Sequence, residues 1–439
     1  MKHAWIGIVF LAFASSAATV RVADSIARAV AEANAGDTIL ISGPAIFHEH
    51  VVIEKTLRIV ATNSAVIDAD GSGTPLTIRA ADVVVSGLIL RNGGRDLGKA
   101  DAGLMIDGPR ARVASCRVEG GAFGIYLHGI NSCAVVDNTI LGDTNLPPAQ
   151  RGNGIHLWNS KSNVIAGNFI FGTRDGAYFS YADRNLIASN RIEQTRFGIH
   201  YMYSHENRLV GNTLTGNAVG AALMFARNCE VAGNRAFANR RHGILLKQVE
   251  HSVFARNIVT GQNRGFFIQQ AVGNRFEQNE ISQNDIGLYL SNQSEENIFV
   301  GNAFVDNTEQ VWQPIDEFEK GQLASNQFSD HGRGNFWSDY TGADANHDGI
   351  GDTPYHQTDA FGYIVNRHPE ARVFALSPAT ALLRKGEELL PVLDSQGVTD
   401  PAPLMQPVAH QDSAGAEVWG LTPNSSPKEN VHLFTSTRN

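Results

Sequence analysis

The sequence predicts an all-β protein: a right-handed parallel β-helix of about ten coils, with an N-terminal cap helix and an irregular C-terminal tail. Three observations lead to this prediction. A Gly followed by an apolar-x-apolar triplet recurs every 22 or 23 residues from Gly154 to Gly287. An Asn in the strings xxGN or xxxN repeats with nearly the same spacing, and a third position, Asn in most copies, repeats in parallel with it. A fixed period of this length is typical of a solenoid in which each repeat forms one coil.

The three registers extend over most of the chain. The Gly register contains Gly103, Gly124, Gly154, Gly176, Gly198, Gly220, Gly243, Gly265 and Gly287. The second register contains Asn138, Asn168, Asn190, Asn212, Asn234, Asn257, Asn279, Asn302 and Asn326. The third contains Asn163, Asn185, Asn207, Cys229, Ser252, Asn274 and Asn297. Short runs between them alternate with the period of a β-strand, and no repeat has room for a long helix. Coils would stack about 4.8 Å apart, with Asn side chains bonding from coil to coil.

The first element is a secretory signal peptide, predicted over residues 1–18. Lys2 precedes an apolar run from Ala4 to Ala14, and small residues follow that run. The alternative is a membrane anchor, but a membrane-spanning helix needs about 20 apolar residues. We therefore expect a cleaved, soluble protein in an exported compartment.

A cap helix is the next predicted element, within residues 19–36. In the string DSIARAVAEANAG, Asp24 has the position of an N-cap and Gly36 that of a C-terminal stop signal. Since solenoids need their ends covered, we expect this helix to close the N-terminal end.

The β-helix itself is predicted over residues 37–340, with two insertions that bulge from the coils at 91–102 and 142–152. Residues 341–376 are predicted to form a C-terminal cap, because the repeat decays there. Residues 377–439 are predicted to form an amphipathic helix followed by a loose polar tail.

The net charge bears on which partners the protein can have. The net charge is -9 and no basic run stands out, so nucleic acid is not an expected partner.

The three cysteines, Cys116, Cys133 and Cys229, fall on the repeated Asn positions. Cys133 and Cys229 lie four coils apart, too far for a disulfide. We interpret all three as small buried residues in the stack.

The strand after each register Gly has an unusual outward face. Side chains alternate along a strand, so the first and third residues after Gly point into the core and the second and fourth point outward. The first outward column is Met105, Tyr126, His156, Tyr178, His200, Ala222, Leu245, Phe267 and Tyr289. The second outward column is Asp107, His128, Trp158, Ser180, Met202, Met224, Lys247, Gln269 and Ser291. Methionine, histidine and aromatic residues replace the polar mixture of a solvated sheet.

Three interpretations of these columns are open from the residues alone. The first is an apolar strip covered by a loop, a tail or a partner protein. The second is a copper site, because thioether and imidazole together select copper, especially Cu(I), over zinc or calcium. The third is a groove in which aromatic rings stack on sugars. For the copper site, the candidate ligands are His200, Met202 and Met224, with His156 and Met105 as weaker candidates.

Several strings resemble the NosD family: GIHLWNS, FGIHYMYSHENRLVGN, ALMFA, GILLKQ, GFFIQQ, GLYLSNQSEENIFVGNAF and GNFWSDYTGADANHDGIGDTPY, in this order. The resemblance covers almost the whole chain. It implies a periplasmic protein, without enzymatic activity, bound to an ABC transporter made of a membrane subunit and a cytoplasmic ATPase. It further implies a role in assembling the multicopper sulfide centre of nitrous oxide reductase, together with a copper-delivering lipoprotein. It does not identify the copper ligands.

A second candidate metal site lies near the end of the solenoid. Asp344, Asn346, Asp348 and Asp352 place oxygen ligands at alternate positions around a turn that contains Gly349. Calcium loops are built in this way, although the spacing is shorter than in an EF-hand. The alternative is a cap turn held by Asx hydrogen bonds. Bound calcium would stabilise the cap and would have no catalytic role.

Three further features complete the sequence-based hypotheses. His48 and His50 alternate on an early strand and form a weak candidate for metal ligation. Lys247, with Arg240 and Arg241, suggests a polysaccharide lyase as an alternative, but no Asp cluster lies on the same coils. The aromatic residues of the outward columns suggest a secreted carbohydrate-binding protein as the other alternative. The predicted C-terminal helix has no core of its own, so its apolar residues are expected to dock on the transporter's membrane subunit. These residues include Leu382, Leu383, Leu389, Leu390 and Leu393.

Overall fold

Each coil contributes one short strand to each of three parallel sheets, so the chain forms the right-handed parallel β-helix that the sequence predicts. The computed structural model describes residues 17–291, 293–313, 326–357, 369–374, 377–389 and 398–408. Most of the predicted signal peptide lies outside these residues. No helix in the described part of the chain is long and apolar enough to cross a membrane.

The three sheets share one strand order, in which each coil pairs with the coils before and after it. Sheet 1 consists of Thr19–Arg21, Thr38–Ser42, Arg58–Thr62, Val84–Ser86, Arg112–Ala114, Ala134–Val136, Val164–Ala166, Leu186–Ala188, Arg208–Val210, Glu230–Ala232, Val253–Ala255, Arg275–Glu277 and Ile298–Val300. Sheet 2 consists of Val51–Ile53, Leu76–Ile78, Ala102–Ile106, Phe123–His128, Asn153–Trp158, Asp175–Ser180, Phe197–Met202, Val219–Arg227, His242–Glu250, Arg264–Gln269, Ile286–Leu290 and Glu309–Trp312. Sheet 3 consists of Ala45–His48, Ala65–Asp68, Ile89–Gly93, Arg117–Gly120, Thr139–Leu141, Phe169–Phe171, Arg191–Glu193, Thr213–Thr215, Arg235–Phe237, Ile258–Thr260, Glu280–Ser282, Ala303–Val305 and Phe336–Trp337.

The number of coils is larger than expected. Two of the sheets have 13 strands, so there are about thirteen coils where the sequence predicted about ten. The extra coils are at the N-terminal end, where the Gly and Asn registers are missing. There, stacked aliphatic side chains such as Ile39, Ile59 and Val85 fill the core and are at most 1% exposed. Apolar stacking therefore holds a coil in place without an Asn ladder.

Asparagine ladders connect the coils further along the chain. In the ladder between sheets 1 and 3, the Asn190 backbone N–H and side-chain amide both donate to Oδ1 of Asn212, at 3.0 and 2.9 Å. This pattern repeats from Cys116 to Asn335. Asn326, assigned from the sequence to this ladder, belongs instead to the one that runs through Asn297, whose N–H and amide donate to its Oδ1.

The corner that precedes sheet 2 contains a further ladder, which the sequence analysis did not detect. It runs through Thr195, Asn217, Asn239, Gln262, Asn284 and Asn307. The three cysteines are buried and free, and Cys116 and Cys133 each donate a backbone N–H to a ladder Asn. Their interpretation as stack residues is confirmed.

The N-terminal end is covered by an α-helix, Ile26–Glu32, as predicted, but the N-cap is Ser25 and not Asp24. The Ser25 side chain accepts the N–H of Arg28, and Glu49 accepts the N–H of Ile26 at 2.6 Å. Lys55 donates to the carbonyls at the other end of the helix. A carboxylate and an ammonium group on the coils thus complement the two ends of the helix dipole.

The two predicted insertions contain the 3₁₀ helices Leu97–Lys99 and Pro148–Gln150, and an ion pair of 2.7 Å joins Arg95 to Asp143 across them. Further along, Pro369–Phe374 is a 3₁₀ helix and Pro378–Leu389 is the predicted amphipathic α-helix. Within the predicted tail, Thr399–Asp400 pairs antiparallel with Tyr355–His356. This part of the tail is therefore built into the C-terminal cap, contrary to the expectation of a loose tail.

The C-terminal cap ends the longest ladder with a carboxylate. Asp400 is fully buried, and its Oδ2 accepts the Asn335 N–H at 2.6 Å and the Trp337 indole N–H at 2.9 Å. Leu404 is buried beside it and bridges to Phe336 and Ile350. These contacts mean that a truncation before residue 398 removes part of the cap.

Candidate metal site

Sheet 2 aligns the two outward columns as the sequence predicts. In the first column, His156 pairs with Tyr178, and Tyr178 pairs with His200. In the second column, Met202 lies directly opposite Met224 on the next coil. Neighbouring strands are about 4.8 Å apart, so the two thioethers project from adjacent positions. Both methionine side chains are half-buried, which leaves them accessible from the outer face.

The first column is a continuous stack of rings. The ring centroids of His156 and Tyr178 are 4.9 Å apart, and those of Tyr178 and His200 are 5.0 Å apart. Phe197, on the same strand as His200, packs against its ring at 4.6 Å. This packing leaves His200 only 7% exposed and fixes the plane of its imidazole.

His200 has one ring nitrogen engaged and one without a partner. Nδ1 donates to Oδ2 of Asp175 at 3.1 Å, because an ionised carboxylate can only accept. Nε2 is buried and has no hydrogen-bond partner among the described residues. In the neutral imidazole this nitrogen holds the lone pair. A histidine oriented through its other nitrogen by a carboxylate is the arrangement that protein metal sites use.

Asp175, immediately before Gly176, and Arg196, two residues before Gly198, support His200. Asp175 is 1% exposed, and Arg196 donates to both of its oxygens at 2.8 and 2.7 Å. Burial acts to raise the pKa of Asp175, but the hydrogen bonds from His200 and Arg196 outweigh it and hold that pKa below its ordinary value. The carboxylate therefore stays charged and keeps His200 in one tautomer.

Asp175 is not among the predicted site residues, because it lies before the register Gly and outside the two alternating outward columns. Only a weak signal was present: the equivalent residues on several other coils, such as Phe123, Phe197 and Val219, are apolar, although Asn153, His242 and Arg264 are not. The bend into sheet 2 turns this position toward the first outward column, so its side chain meets that column.

His156 and Met105 lie on the same face but away from His200. His156 is two coils away, about 10 Å, with Tyr178 between them. Its Nδ1 accepts a hydrogen bond from the Asn153 amide at 3.1 Å, and burial lowers its pKa to about 4. Met105 is four coils from His200, about 19 Å. The structure thus brings together His200, Met202 and Met224, but neither of the weaker candidates.

A row of exposed aromatic rings borders the methionines. Tyr181, Tyr203 and Phe225 follow the second column by one residue on successive coils, and all three have positive φ, between 51° and 56°. Their rings stack almost flat, with centroids 5.3 and 4.6 Å apart and interplanar angles of 9° and 14°. These contacts cover both faces of the Tyr203 ring and one face each of the Tyr181 and Phe225 rings. Sugars stack on ring faces, so the faces taken up by these contacts are not open to a sugar.

The predicted calcium loop has the contacts of a cap turn. Its carboxylate oxygens accept backbone N–H groups within the loop: Asp344 from Gly349 at 3.0 Å, Asp348 from Ile350 at 2.8 Å, and Asp352 from Ala345 at 2.7 Å. The Oδ1 of Asn346 accepts the N–H of Asp348 at 3.1 Å. These are the Asx hydrogen bonds of the alternative interpretation, and calcium binding stays a prediction.

The early histidines do not share a site. His48 lies 2.8 Å from Asp70 and near Asp68, so that these three groups form a small cluster in which Asp68 is buried and the other two are exposed. Asp68 already pairs with Arg91 at 2.6 Å. His50 contacts the carbonyl of Thr74 at 3.1 Å.

The C-terminal helix exposes the side chains that were predicted to dock. Leu382 is 73% exposed and Leu383 is 41% exposed. Leu389 ends the helix, whereas Leu390 and Leu393 lie outside the described residues. Docking on a transporter therefore stays a prediction that rests on the first two leucines.

The chain is similar to known proteins over most of its length. Residues 136–342 match a family model described as "NosD: Periplasmic copper-binding protein (NosD)". A protein from Pseudomonas aeruginosa named "Probable ABC transporter binding protein NosD" is 36% identical over 372 residues, which cover 81% of this chain and 85% of the relative. A protein of the same name from Stutzerimonas stutzeri is 34% identical over 371 residues, covering 81% and 84%.

Among solved structures, the A-module of the mannuronan C-5 epimerase AlgE6 from Azotobacter vinelandii superposes with a TM-score of 0.53 at 12% identity, covering 69% of this chain and 92% of that module. This similarity shows a common fold and says nothing about activity.

Proposed function

The chain belongs to the NosD family of periplasmic copper-binding proteins, and from this premise we propose that it carries Cu(I) on the outer face of sheet 2. In this proposal the protein partners an ABC transporter in the periplasm and helps to assemble the multicopper sulfide centre of nitrous oxide reductase. Copper is cargo, received from a copper-donating lipoprotein and passed on toward the reductase. Calcium in the cap loop of Asp344, Asn346, Asp348 and Asp352 would be structural.

The observation that supports a copper site best is the buried, unpartnered Nε2 of His200 beside the paired methionines. A buried nitrogen without a partner costs free energy, which a bound ion would recover. His200 is offset from Met202 by two residues, about 7 Å at Cα, so side-chain adjustment must bring the three ligands together.

The ligand types favour Cu(I) over other metals. Thioether sulfur is a soft ligand that binds Cu(I) and has little affinity for zinc or calcium. All three ligands are neutral, so the bound ion keeps a single positive charge. Weak, neutral ligation on an open face suits a carrier, which must release its ion to the next protein.

The relatives are named as binding proteins, and we do not propose an enzymatic activity. The alternative of a carbohydrate-binding protein rests on the aromatic residues of the outward columns, and that of a lyase rests on Lys247, Arg240 and Arg241. No group of acids suited to hold a calcium ion accompanies these residues on the described coils of sheet 2.

The test of the copper proposal is an anaerobic Cu(I) titration of the mature protein against a chromogenic chelator. Met202→Leu together with Met224→Leu preserves volume and apolarity, so folding should be retained while thioether ligation is lost. Met105→Leu, four coils away, is the matched control. We expect weaker Cu(I) binding only for the double variant, with loss of the copper–sulfur distance in X-ray absorption spectra.

The same variants test the assembly role. A strain producing the double variant should yield reductase that lacks its multicopper sulfide centre, whereas the Met105→Leu strain should yield complete enzyme. If the double variant binds Cu(I) and matures the reductase as well as wild type does, the two columns are an interface strip and copper binds elsewhere.

Docking to the transporter requires a separate test. Leu382→Glu with Leu383→Glu changes two exposed side chains and leaves the cap intact. We expect this variant to fold but no longer to co-purify with the membrane subunit and its ATPase. Full co-purification would place the docking surface on another part of the chain.

A further inference from the structure

Four arginines form a ridge along the edge of sheet 2 beside the first outward column: Arg174, Arg196, Arg241 and Arg264. They lie on successive coils except for the coil of Ala218, and Arg264 lies one residue later in its coil than the other three, opposite His242. The backbone N–H of Arg196 donates to the carbonyl of Arg174 at 2.7 Å, and that of Arg264 donates to the carbonyl of Arg241 at 2.9 Å. The ridge spans four coil-to-coil steps, about 19 Å.

The arginine side chains reach over the ring columns. The guanidinium of Arg196 lies 4.6 Å from the centre of the Phe197 ring, and that of Arg264 lies 4.6 Å from the centre of the Tyr289 ring. Arg174 and Arg241 lie close enough to His156 and His242 to help lower the pKa values of these histidines. All four cations therefore contribute to the potential above this face.

Two arginines of the ridge, Arg174 and Arg241, form no ion pair within the described residues, whereas Arg196 pairs with Asp175. Lys247 adds another cation in the second column. The whole chain has a net charge of -9, so this concentration of positive charge is local. Like charges on neighbouring strands repel each other. Their positive potential would also oppose the approach of a copper ion to His200.

We propose that the arginine ridge binds an extended acidic segment of the protein partner that exchanges copper with His200, Met202 and Met224. This inference rests on the proposed function. The length of the ridge corresponds to about six residues of extended chain. Carboxylates match the guanidinium fork and would neutralise the ridge. While the partner's acidic segment is bound, it neutralises the arginines, so their positive potential no longer opposes the approach of copper to His200.

A protein segment fits this face better than an acidic polysaccharide. In the aromatic row on the other side of the methionines, Tyr181 and Phe225 each lose one ring face to a stacking contact, and Tyr203 between them loses both. Ring edges and methionine side chains pack well against apolar protein side chains, whereas a sugar needs an open ring face. The metal columns lie between the two rows, so a docked partner would cover them.

The test uses the mature protein and a fluorescein-labelled peptide of about six residues that alternates aspartate with glycine. Its asparagine counterpart serves as the neutral probe, and an oligouronate of similar length and charge is the third arm. The test variant is Arg174→Glu with Arg241→Glu. The matched control is Arg58→Glu with Arg256→Glu, two exposed arginines away from sheet 2. Fluorescence anisotropy is measured at low and raised salt.

We expect the acidic peptide to bind wild type and the control, to bind the test variant at least about tenfold more weakly, and to dissociate as salt rises. Met202→Leu with Met224→Leu should bind the peptide as wild type does, so failure of the copper proposal and failure of this one can be told apart. Equal binding of the peptide to both arginine variants, or tighter binding of the oligouronate than of the peptide, would overturn the proposal.

Discussion

Replacing Asp175 by Asn isolates the contribution of the carboxylate that orients His200. The substitution keeps the shape of the side chain but removes its charge. Its amide group can donate to Nδ1 of His200, where the carboxylate only accepts. That donation would move the imidazole proton to Nε2 and remove the lone pair from the proposed metal site. Copper affinity should fall although no ligand has been changed.

The substitution should have two effects of different size, a loss of copper affinity and a loss of folding free energy. Loss of a carboxylate that orients a metal-binding histidine typically weakens metal binding by about 10- to 100-fold. The cost in folding free energy is smaller than for a fully buried ion pair, because the Arg196 side chain is 38% exposed and water can replace its partner. We expect about 1 to 3 kcal/mol, which leaves a large solenoid folded. The effect on copper should therefore be measurable in native protein.

Asp183→Asn is the matched control, because Asp183 pairs with Lys161 at 3.2 Å and accepts the N–H of His205 at 3.0 Å without contacting His200. Chelator competition gives the Cu(I) affinity, and the nitrogen chemical shifts of His200 report its tautomer. We expect a changed tautomer and weaker binding for Asp175→Asn alone. Binding within about twofold of the control, with His200 in the wild-type tautomer, would refute the reasoning.

Three other predictions concern stability. Asn212→Ala removes four hydrogen bonds of a ladder, two accepted and two donated, and should lower the free energy of unfolding by about 4 kcal/mol in urea titrations. Burial lowers the pKa of His242 to about 4, against 6.5 in the unfolded chain. The unfolded chain therefore binds more protons between these values, stability should fall as pH drops from 6.5 to 4, and His242→Gln should flatten that part of the stability profile. Truncation after residue 397 removes Asp400 and should lower the melting temperature by more than truncation after residue 408, which keeps Asp400; equal melting temperatures would show that the cap contributes nothing.

Much of the fold follows from the sequence because the repeat has a physical cause at each position. A ladder Asn must recur once per coil, since its Oδ1 serves the coil before it, and this requirement fixes the period. The first coils have no such requirement: Ile39 and Ile59 stack well with any apolar neighbour, so their period was not recognised. The pairing of Met202 with Met224 followed directly from the register.

The rest of the candidate site depends on contacts that the period does not encode. Asp175 and His200 lie on neighbouring strands, but Asp175 is one residue before its register Gly and His200 is two residues after its own. Strict alternation would place their side chains on opposite faces, and only the bend of the chain before Gly176 brings them together. The assignment of Asn326 failed because residues 303 to 335 depart from the regular spacing. The unpartnered nitrogen of His200 is likewise a property of three-dimensional packing.

The direction of the ladders has a consequence for the order in which the molecule is completed. Most ladder Asn residues donate to the next coil, so each newly formed end presents unpaired N–H groups to whatever segment is synthesised after it. The last of these donors, on Asn335, finds its acceptor in Asp400, 65 residues later. Until that residue has been made, the growing end remains open to a strand from another chain as well as from its own. Asp400 therefore closes the ladder and blocks pairing with another chain, but only after residue 400 has been synthesised.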